Sequence, residues 1–233
     1  MAKLQKSDIR QRIWDQLQDE RLARFPFPPH GRIPNFAQAR AAAEQLLESD
    51  PLRNARRIKA NPDAPQRPVR QLALQRGIVV YMPTPRLRGG FMMLDPDRIP
   101  EESIRKAASL NGCGEWAVEI PIRELPAMDA IVCGSVAVDR KGNRCGKGEG
   151  YSDIEYAILR ELGHPPVPVV TTVHDIQIVN RIPHDKNDLP LSMIVTPTRT
   201  IEIESPLPPP DRIDWDALTD EDLDAMPILK ELR

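Results

Sequence analysis

The order of apolar and polar positions along the chain predicts helices that alternate with strands. Over residues 6–20, Ile9, Ile13 and Leu17 recur every four positions, which predicts an amphipathic helix with one buried stripe. Start and stop signals predict further helices at residues 36–48, 66–76, 100–110 and 152–162. Short apolar or β-branched runs predict strands at residues 78–82, 117–120, 130–138, 167–173, 191–195 and 200–203. This alternation favours a three-layer α/β/α fold around an open, mostly parallel sheet.

Two of the predicted helix starts depend on capping residues. Asn35 precedes the segment 36–48, and Ser152 with Glu155 matches the S-x-x-E capping box. Gly163 lies where the helix 152–162 should end. Because capping alone favours these residue types, a purely structural role for Ser152, Asp153 and Glu155 stays open beside any functional one.

The most informative stretch of the chain is a strand, a glycine-rich loop and a helix over residues 129–162. Glycines cluster after the apolar run 130–138, while Arg144 and Lys147 add positive charge. Glycines let backbone N–H groups approach an anion closely, and the following helix directs the positive end of its dipole at it. The loop matches neither the Walker A motif nor G-x-G-x-x-G. The residues alone leave open both a phosphate site and a glycine-rich surface turn.

Composition sets limits on the class of protein. Proline accounts for 25 of 233 residues, about twice the usual share of roughly 5%, and much of it lies in connections. We expect a single α/β domain over residues 1–233, with a proline-rich, acidic extension from about residue 205. The acidic stretch at residues 211–224, which includes Trp215, predicts either a packing helix or a partner contact.

Charge and cysteine content argue against several partners. The formal net charge is −2, so no overall field would draw the chain to nucleic acid or to an anionic membrane. Cys113, Cys133 and Cys145 show no C-x-x-C spacing, which argues against a disulfide framework or structural zinc and favours a reducing cytoplasm. No apolar run reaches the 18 residues of a membrane span. We expect a cytoplasmic protein with a small-molecule substrate, and its oligomeric state stays open.

Residues 129–159, DAIVCGSVAVDRKGNRCGKGEGYSDIEYAIL, carry a resemblance to a known family. This run resembles the signature of the 5-formyltetrahydrofolate cyclo-ligase (methenyltetrahydrofolate synthetase) family, in which a strand ending in aspartate leads to G-x-R-x-G-x-G-x-G-Y-Y-D. The order of other segments also agrees, from an N-terminal lysine and arginine to a late histidine-aspartate element at residues 183–185. The phrases RIPNF, NPDAPQRPVR and PTPRLRGG resemble a divergent branch of the family.

The resemblance implies a fold and a nucleotide site. The fold would be that of the cyclo-ligases, which is similar to NagB, RpiA and the CoA transferases. The reaction would use ATP and Mg²⁺: the formyl oxygen of 5-formyltetrahydrofolate attacks the γ-phosphate, N10 attacks the activated carbon, and phosphate leaves to give 5,10-methenyltetrahydrofolate. By position, Asp153 would hold Mg²⁺, and Arg144 and Lys147 would act in catalysis. The nucleotide would bind Lys6, Arg10, Arg144, Gly146, Lys147, Gly148, Gly150 and Tyr151.

The substrate end departs from the family pattern. Asp63 lies near the position of a family glutamate, Ser152 replaces the second tyrosine, and Glu149 adds a carboxylate. Arg86 and Arg88 are further candidates, for the anionic end of the substrate. A cationic thiazolium or aminopyrimidine would suit Glu149 better than a folate tail, unless Glu149 faces Mg²⁺ or a lysine. Two alternatives therefore stay open: an enzyme of thiamin salvage without cyclo-ligase activity, and a non-catalytic nucleotide- or folate-binding module. The roles of His174 and His184 also stay open.

Overall fold

The computed structural model describes residues 4–233, so the first three residues of the expected domain lie outside the described part. Within it, the α-helices are α1 (Lys6–Asp19), α2 (Ala39–Glu48), α3 (Arg67–Gln75), α4 (Ile104–Ala107), α5 (Tyr151–Glu161) and α6 (Asp220–Ala225). The strands are β1 (Ala23–Arg24), β2 (Asn35–Phe36), β3 (Arg57–Ala60), β4 (Val79–Pro83), β5 (Phe91–Leu94), β6 (Val118–Ile120), β7 (Ala130–Cys133), β8 (Ala137–Asp139), β9 (Arg144–Cys145), β10 (Val169–Thr172), β11 (Ile178–Val179), β12 (Met193–Val195) and β13 (Thr200–Glu202). Over these residues, no helix combines the length and apolar character that a membrane crossing requires.

The expected mostly parallel sheet is confirmed. Its strand order in the described chain is β13-β12-β10-β7-β3-β4-β5-β6, and the five strands from β12 to β4 run parallel. Along β7, Ala130 and Val132 pack against the face covered by α2, α3 and α4, whereas Ile131 and Cys133 pack against the face covered by α5. The apolar run is thus buried on both faces, as central strands of a three-layer fold require.

The prediction of one strand over residues 130–138 is wrong. The segment divides into β7 and β8, and β8 joins β9 and β11 in a separate three-stranded sheet. The break includes Gly134, a crowded position where an added Cβ would lie 2.9 Å from Ile33 Cγ2 and 3.1 Å from Asp63 Oδ2. α1 covers the small sheet, burying Ile9 and its neighbouring stripe against it.

Both capping predictions are wrong. Asn35 lies in β2, and α2 begins later, at Ala39. α5 begins at Tyr151 after Gly150, whose φ of +72° is a left-handed value that favours glycine. Ser152 is consequently inside the helix, and its hydroxyl accepts a hydrogen bond from Asn61 Nδ2 at 3.1 Å instead of capping.

Two other elements differ from the sequence-based prediction. The helix expected over residues 100–110 is shorter, with a 3₁₀ turn at Glu101–Ser103 followed by α4. β3 is absent from the prediction although it lies in the middle of the sheet, because its sequence, RIKA, places two basic residues in a four-residue strand. The missed strand carries Lys59, whose side chain is buried.

A buried ion pair joins β3 to α5. Lys59 Nζ donates to Glu155 Oε2 and, at 2.9 Å, to Asn61 Oδ1, and the Lys59 side chain is only 1% exposed. Burial raises the pKa of the Glu155 carboxyl, and the attraction of Lys59 works against that rise. Since removing one partner of such a pair leaves an uncompensated charge in the core, the pair fixes the end of β3 against the first turns of α5.

The C-terminal segment packs onto the α5 face of the sheet. Ile213, Leu223, Met226, Ile228 and Leu229 are buried in the same apolar cluster as α5. Thr219 caps α6 by accepting a hydrogen bond from the backbone N–H of Asp222, and the Asp222 carboxylate accepts one in return from the backbone of Thr219. The sequence analysis left open a packing helix or a partner contact for residues 211–224, and the structure shows a packing helix.

Gly134→Ala should lower the free energy of unfolding by about 1–3 kcal/mol, because the new methyl group meets Ile33, Asp63 and Gln66 in a filled space. Urea unfolding measures the change. Gly114→Ala is the matched control, since a Cβ there has no atom within 4 Å. Equal stability of the two variants would show that the space around Gly134 is not filled.

Lys59→Met should lower the free energy of unfolding by about 3–5 kcal/mol, because Glu155 keeps a buried charge without its partner. The double variant Lys59→Met/Glu155→Leu should regain at least half of that loss. A urea double-mutant cycle measures both quantities. The exposed pair Arg40–Glu44 on α2 serves as the control, with a coupling of at most about 0.5 kcal/mol. Additive losses at Lys59 and Glu155 would contradict a coupled pair.

Candidate functional site

A cleft of about 1030 Å³ lies beyond the carboxyl ends of β3, β4 and β7. This is the edge of an open parallel sheet at which ligands bind. The glycine loop at residues 146–150 forms one wall with the start of α5, and the β1–β2 connection forms another. Of the residues expected at the site, the cleft brings together Lys6, Arg10, Asp63, Arg86, Arg144, Gly146, Lys147, Gly148, Glu149, Gly150, Tyr151, Ser152 and Asp153. Arg88 is exposed and does not line the cleft.

Arg144 is one of the buried cations of the cleft. Its Nη2 donates to Asp153 Oδ1 at 2.6 Å, while its Nε, although buried, has no hydrogen-bond partner within residues 4–233. Burial lowers the pKa of Arg144, but the neighbouring Asp153 carboxylate outweighs it, and the pKa lies above its ordinary value. The guanidinium is therefore permanently charged and keeps one unused donor.

Arg10 holds the glycine loop by its backbone. Arg10 Nε donates to the Gly146 carbonyl at 2.8 Å. The guanidinium also lies 3.4–3.5 Å from where a Cβ of Gly148 would be, and Gly148 has a φ of +113° that side chains rarely adopt. Glycine at position 148 thus lets the loop fold closely around the arginine.

Lys6 forms ion pairs with the carboxylates of Asp185 and Asp188. α1 begins at Lys6, so Lys6 and Arg10 share one face of the helix. Lys6 Nζ donates to Asp188 Oδ1 at 2.6 Å and to Asp185 Oδ2 at 2.8 Å. Burial lowers the pKa of Lys6, but the two carboxylates raise it by a larger amount, so the pKa lies above its ordinary value. A phosphate at Lys6 would have to share it with these aspartates.

Lys147 and Glu149 form an exposed ion pair within the loop. Their nitrogen and oxygen are 2.7 Å apart, and the side chains are 37% and 46% exposed. Exposed pairs of this kind contribute about 0–1 kcal/mol, so a phosphate can readily displace the carboxylate from the lysine. The sequence analysis placed Glu149 beside a phosphate only if the carboxylate faced Mg²⁺ or a lysine, and Lys147 is such a lysine.

Another wall of the cleft is built around Asp63, and Arg70 holds the backbone of this wall in place. The buried Arg70 guanidinium donates to the backbone carbonyls of Pro62 and Asp63, each at 3.1 Å, and to that of Asn61. Burial lowers the pKa of Arg70 to about 10, so the side chain stays charged at neutral pH. Burial also raises the pKa of Asp63, which makes its carboxyl easier to protonate.

Several residues of the site escaped the sequence analysis. Asn61 and Arg70 line the cleft and lie in the phrase NPDAPQRPVR, which was considered only as a whole. Lys59 does not line the cleft but donates to Asn61, and it lies in the missed strand β3. Asp188 comes from a loop with no recognisable pattern and reaches Lys6 across 182 positions of the chain. These pairings depend on tertiary contacts, so only the short proline-rich phrase offered a signal.

Neither His174 nor His184 lines the cleft. His174 Nδ1 accepts from the backbone N–H of Ile176 at 3.4 Å at the start of a 3₁₀ turn, and burial lowers the pKa of this histidine. His184 Nδ1 lies 3.9 Å from Asp188 Oδ2. His174 therefore caps the 3₁₀ turn. His184 lies near Asp188, one of the two carboxylates that pair with Lys6.

Asp153 is the carboxylate best placed for a cation. Its Oδ1 accepts from Arg144 and, at 2.9 Å, from the backbone N–H of Leu189. Over residues 4–233, no three or more histidine, cysteine, aspartate or glutamate side chains converge to hold a metal ion. Mg²⁺ commonly binds one or two carboxylates together with substrate phosphates, and Asp153 beside the glycine loop fits that donor set.

The chain is similar to proteins of one family. The model of the 5-formyltetrahydrofolate cyclo-ligase family matches residues 2–197. Methenyltetrahydrofolate synthase domain-containing proteins of Bos taurus and Mus musculus are 41% and 42% identical over 100% and 98% of this chain. The chain spans 63% of the length of each of these relatives. A 5-formyltetrahydrofolate cyclo-ligase of Escherichia coli is 33% identical over 34% of this chain and 41% of its own length.

A solved structure has the same fold. The Aquifex aeolicus 5,10-methenyltetrahydrofolate synthetase superposes with a TM-score of 0.54 at 16% identity, over 88% of this chain and 96% of that one. The α/β cyclo-ligase fold expected from the sequence is therefore confirmed. With the family model covering most of the residues, this chain belongs to the 5-formyltetrahydrofolate cyclo-ligase family.

Proposed function

We propose that this chain converts 5-formyltetrahydrofolate to 5,10-methenyltetrahydrofolate, with ATP as cosubstrate and Mg²⁺ bound through Asp153. The observation that carries the proposal is Arg144, a buried and permanently charged guanidinium that lies against the glycine loop, with Nη1 3.3 Å from where a Cβ of Gly146 would be. Family membership and fold support cyclo-ligase activity over the two alternatives. The pairing of Glu149 with Lys147 also removes the reason for preferring a cationic thiamin-type ligand.

The nucleotide phosphates fit the wall formed by the loop and the start of α5. The glycines admit close approach, and the first backbone N–H groups of this 11-residue helix point along its dipole. Arg144 and Lys147 neutralise charge on the transferring phosphoryl group, and Arg10 keeps the loop in shape by holding Gly146. Mg²⁺ would supply further neutralisation of phosphate charge when bound.

The folate would occupy the wall formed by Asp63 and Ser152. In the first step the formyl oxygen forms a bond to the γ-phosphorus while the bond to the ADP oxygen breaks. N10 then attacks the activated formyl carbon and gives up its proton to the leaving phosphate or to water, and the phosphate leaves with the formyl oxygen. The chain's part is alignment and charge neutralisation: Arg70 and Asn61 hold the Asp63 wall rigid, so that the formyl group and the γ-phosphate meet at one position.

With Mg-ATP and 5-formyltetrahydrofolate, the purified protein should form the methenyl chromophore and release one ADP per product. Arg144→Gln should lower kcat by about 10²–10³-fold, because a preorganised cation for the transferring phosphoryl group is lost. Chromophore absorbance and coupled ADP detection measure both.

Arg40→Gln is the matched control and should keep wild-type rates, since Arg40 lies on α2, pairs with Glu44 and is exposed. Thermal melting of each variant verifies folding, because Arg144 also balances Asp153. A wild-type protein that neither binds nucleotide nor forms the chromophore would refute the proposal. Full activity of Arg144→Gln would refute the role of Arg144.

Glu149→Gln should lower the KM for ATP up to about fivefold, because Lys147 no longer divides its charge between a carboxylate and a phosphate. Steady-state kinetics at low ionic strength measure the change, which should shrink as salt screens the exposed pair. Glu44→Gln, which opens an exposed pair away from the cleft, should leave the KM unchanged. A higher KM for ATP in Glu149→Gln would mean that this carboxylate aids nucleotide binding.

A further inference from the structure

The β1–β2 connection presents two exposed aromatic rings. Phe25 is 79% exposed and Phe27 is 60% exposed, and both exceed every other exposed large apolar side chain of residues 4–233. Single exposed apolar residues are ordinary at protein surfaces. The two phenylalanines differ in one respect, however, because Phe25 lines the cleft and Phe27 does not.

The connection is held in place at several points. β1 pairs with β2 through Ala23 and Phe36. Asn35 Nδ2 donates to the Phe25 carbonyl at 2.8 Å, and Trp14 Nε1 of α1 donates to the Arg32 carbonyl at 3.0 Å. Four prolines restrict the backbone further, at positions 26, 28, 29 and 34. The Phe25 backbone is thus fixed beside the cleft, although its ring stays uncovered.

The same connection also lies against the Asp63 wall. Ile33 of the connection and Asp63 of that wall both lie close to Gly134, where an added Cβ would be 2.9 Å from Ile33 Cγ2 and 3.1 Å from Asp63 Oδ2. The rest of the cleft wall is rich in charged and polar groups, and within the described residues its aromatic side chains are Phe25 and Tyr151. Tyr151 belongs to the start of α5, so Phe25 is the aromatic side chain of the opposite, proline-rich wall.

We propose that Phe25 binds the planar nitrogen heterocycle of a substrate by stacking on it. This inference rests on the proposed function, because both substrates carry such a ring: adenine in ATP and the pterin in 5-formyltetrahydrofolate. A fixed backbone with an uncovered ring gains buried apolar area on binding and loses little conformational entropy. The FPFPP connection, which the sequence explained only as a rigid joint, therefore becomes part of the ligand site.

Equilibrium titrations of ATP and of 5-formyltetrahydrofolate onto the full chain test the inference without needing turnover. Phe25→Ala should weaken binding of one of the two ligands by about tenfold or more, as expected for loss of a stacking partner. Phe25→Trp should keep the affinity near that of the wild type. Phe27→Ala is the matched control, because it alters an exposed phenylalanine of the same connection that also precedes a proline, and it should change neither affinity.

The affected ligand identifies the ring: weaker formylfolate binding assigns Phe25 to the pterin, and weaker ATP binding assigns it to adenine. Unchanged affinities in Phe25→Ala, or equal losses in Phe25→Ala and Phe27→Ala, would overturn the inference. Turnover is measured separately on the wild type. A wild-type protein that binds both ligands, one of them in a Phe25-dependent way, without forming product would refute the proposed reaction alone, and one that binds neither ligand would refute both.

Discussion

The geometry of the cleft depends on the buried contact between Lys59 and Glu155. The residues lie 96 positions apart, one on the central strand β3 and the other on α5. Asn61 extends the contact by accepting from Lys59 and donating to Ser152 in the first turn of α5. Because a charge left alone in the core is costly, β3 and α5 cannot shift independently. The wall that would hold the nucleotide is thus fixed against the wall that would hold the substrate.

Charge in the cleft is arranged in two classes that respond differently to an incoming anion. Lys147 is paired with Glu149 in partly exposed positions, where exchange of partners costs little. Arg144 is buried and tied to Asp153 by one nitrogen, while its Nε keeps an unused donor. A phosphate would therefore find one preorganised cation and one that exchanges partners. Preorganised charge contributes most to catalysis, because it needs no rearrangement as the reaction proceeds.

The sequence predicted the sheet and the loop better than the connections between them. The apolar runs of β4, β7, β10 and β12 identify these strands from the sequence alone, since strands buried on both faces are apolar along most of their length. β3 was missed because Lys59 is a buried charge, which local pattern cannot distinguish from a surface lysine. The capping box predicted at Ser152 is also wrong, because the hydroxyl of Ser152 accepts a hydrogen bond from a distant residue, Asn61. Local rules fail here where a tertiary contact provides the better partner.

One departure from the family pattern, Ser152, is connected to the core of the fold. Ser152 replaces the second tyrosine of the motif, and its hydroxyl meets Asn61, which in turn meets Lys59 and lies 3.5 Å from Glu155. The half-buried serine therefore belongs to one polar unit with the buried side chains of Lys59, Asn61 and Glu155. Such a unit ties residue 152 to the core of the fold, because buried polar groups are stable only where each one finds a hydrogen-bond partner.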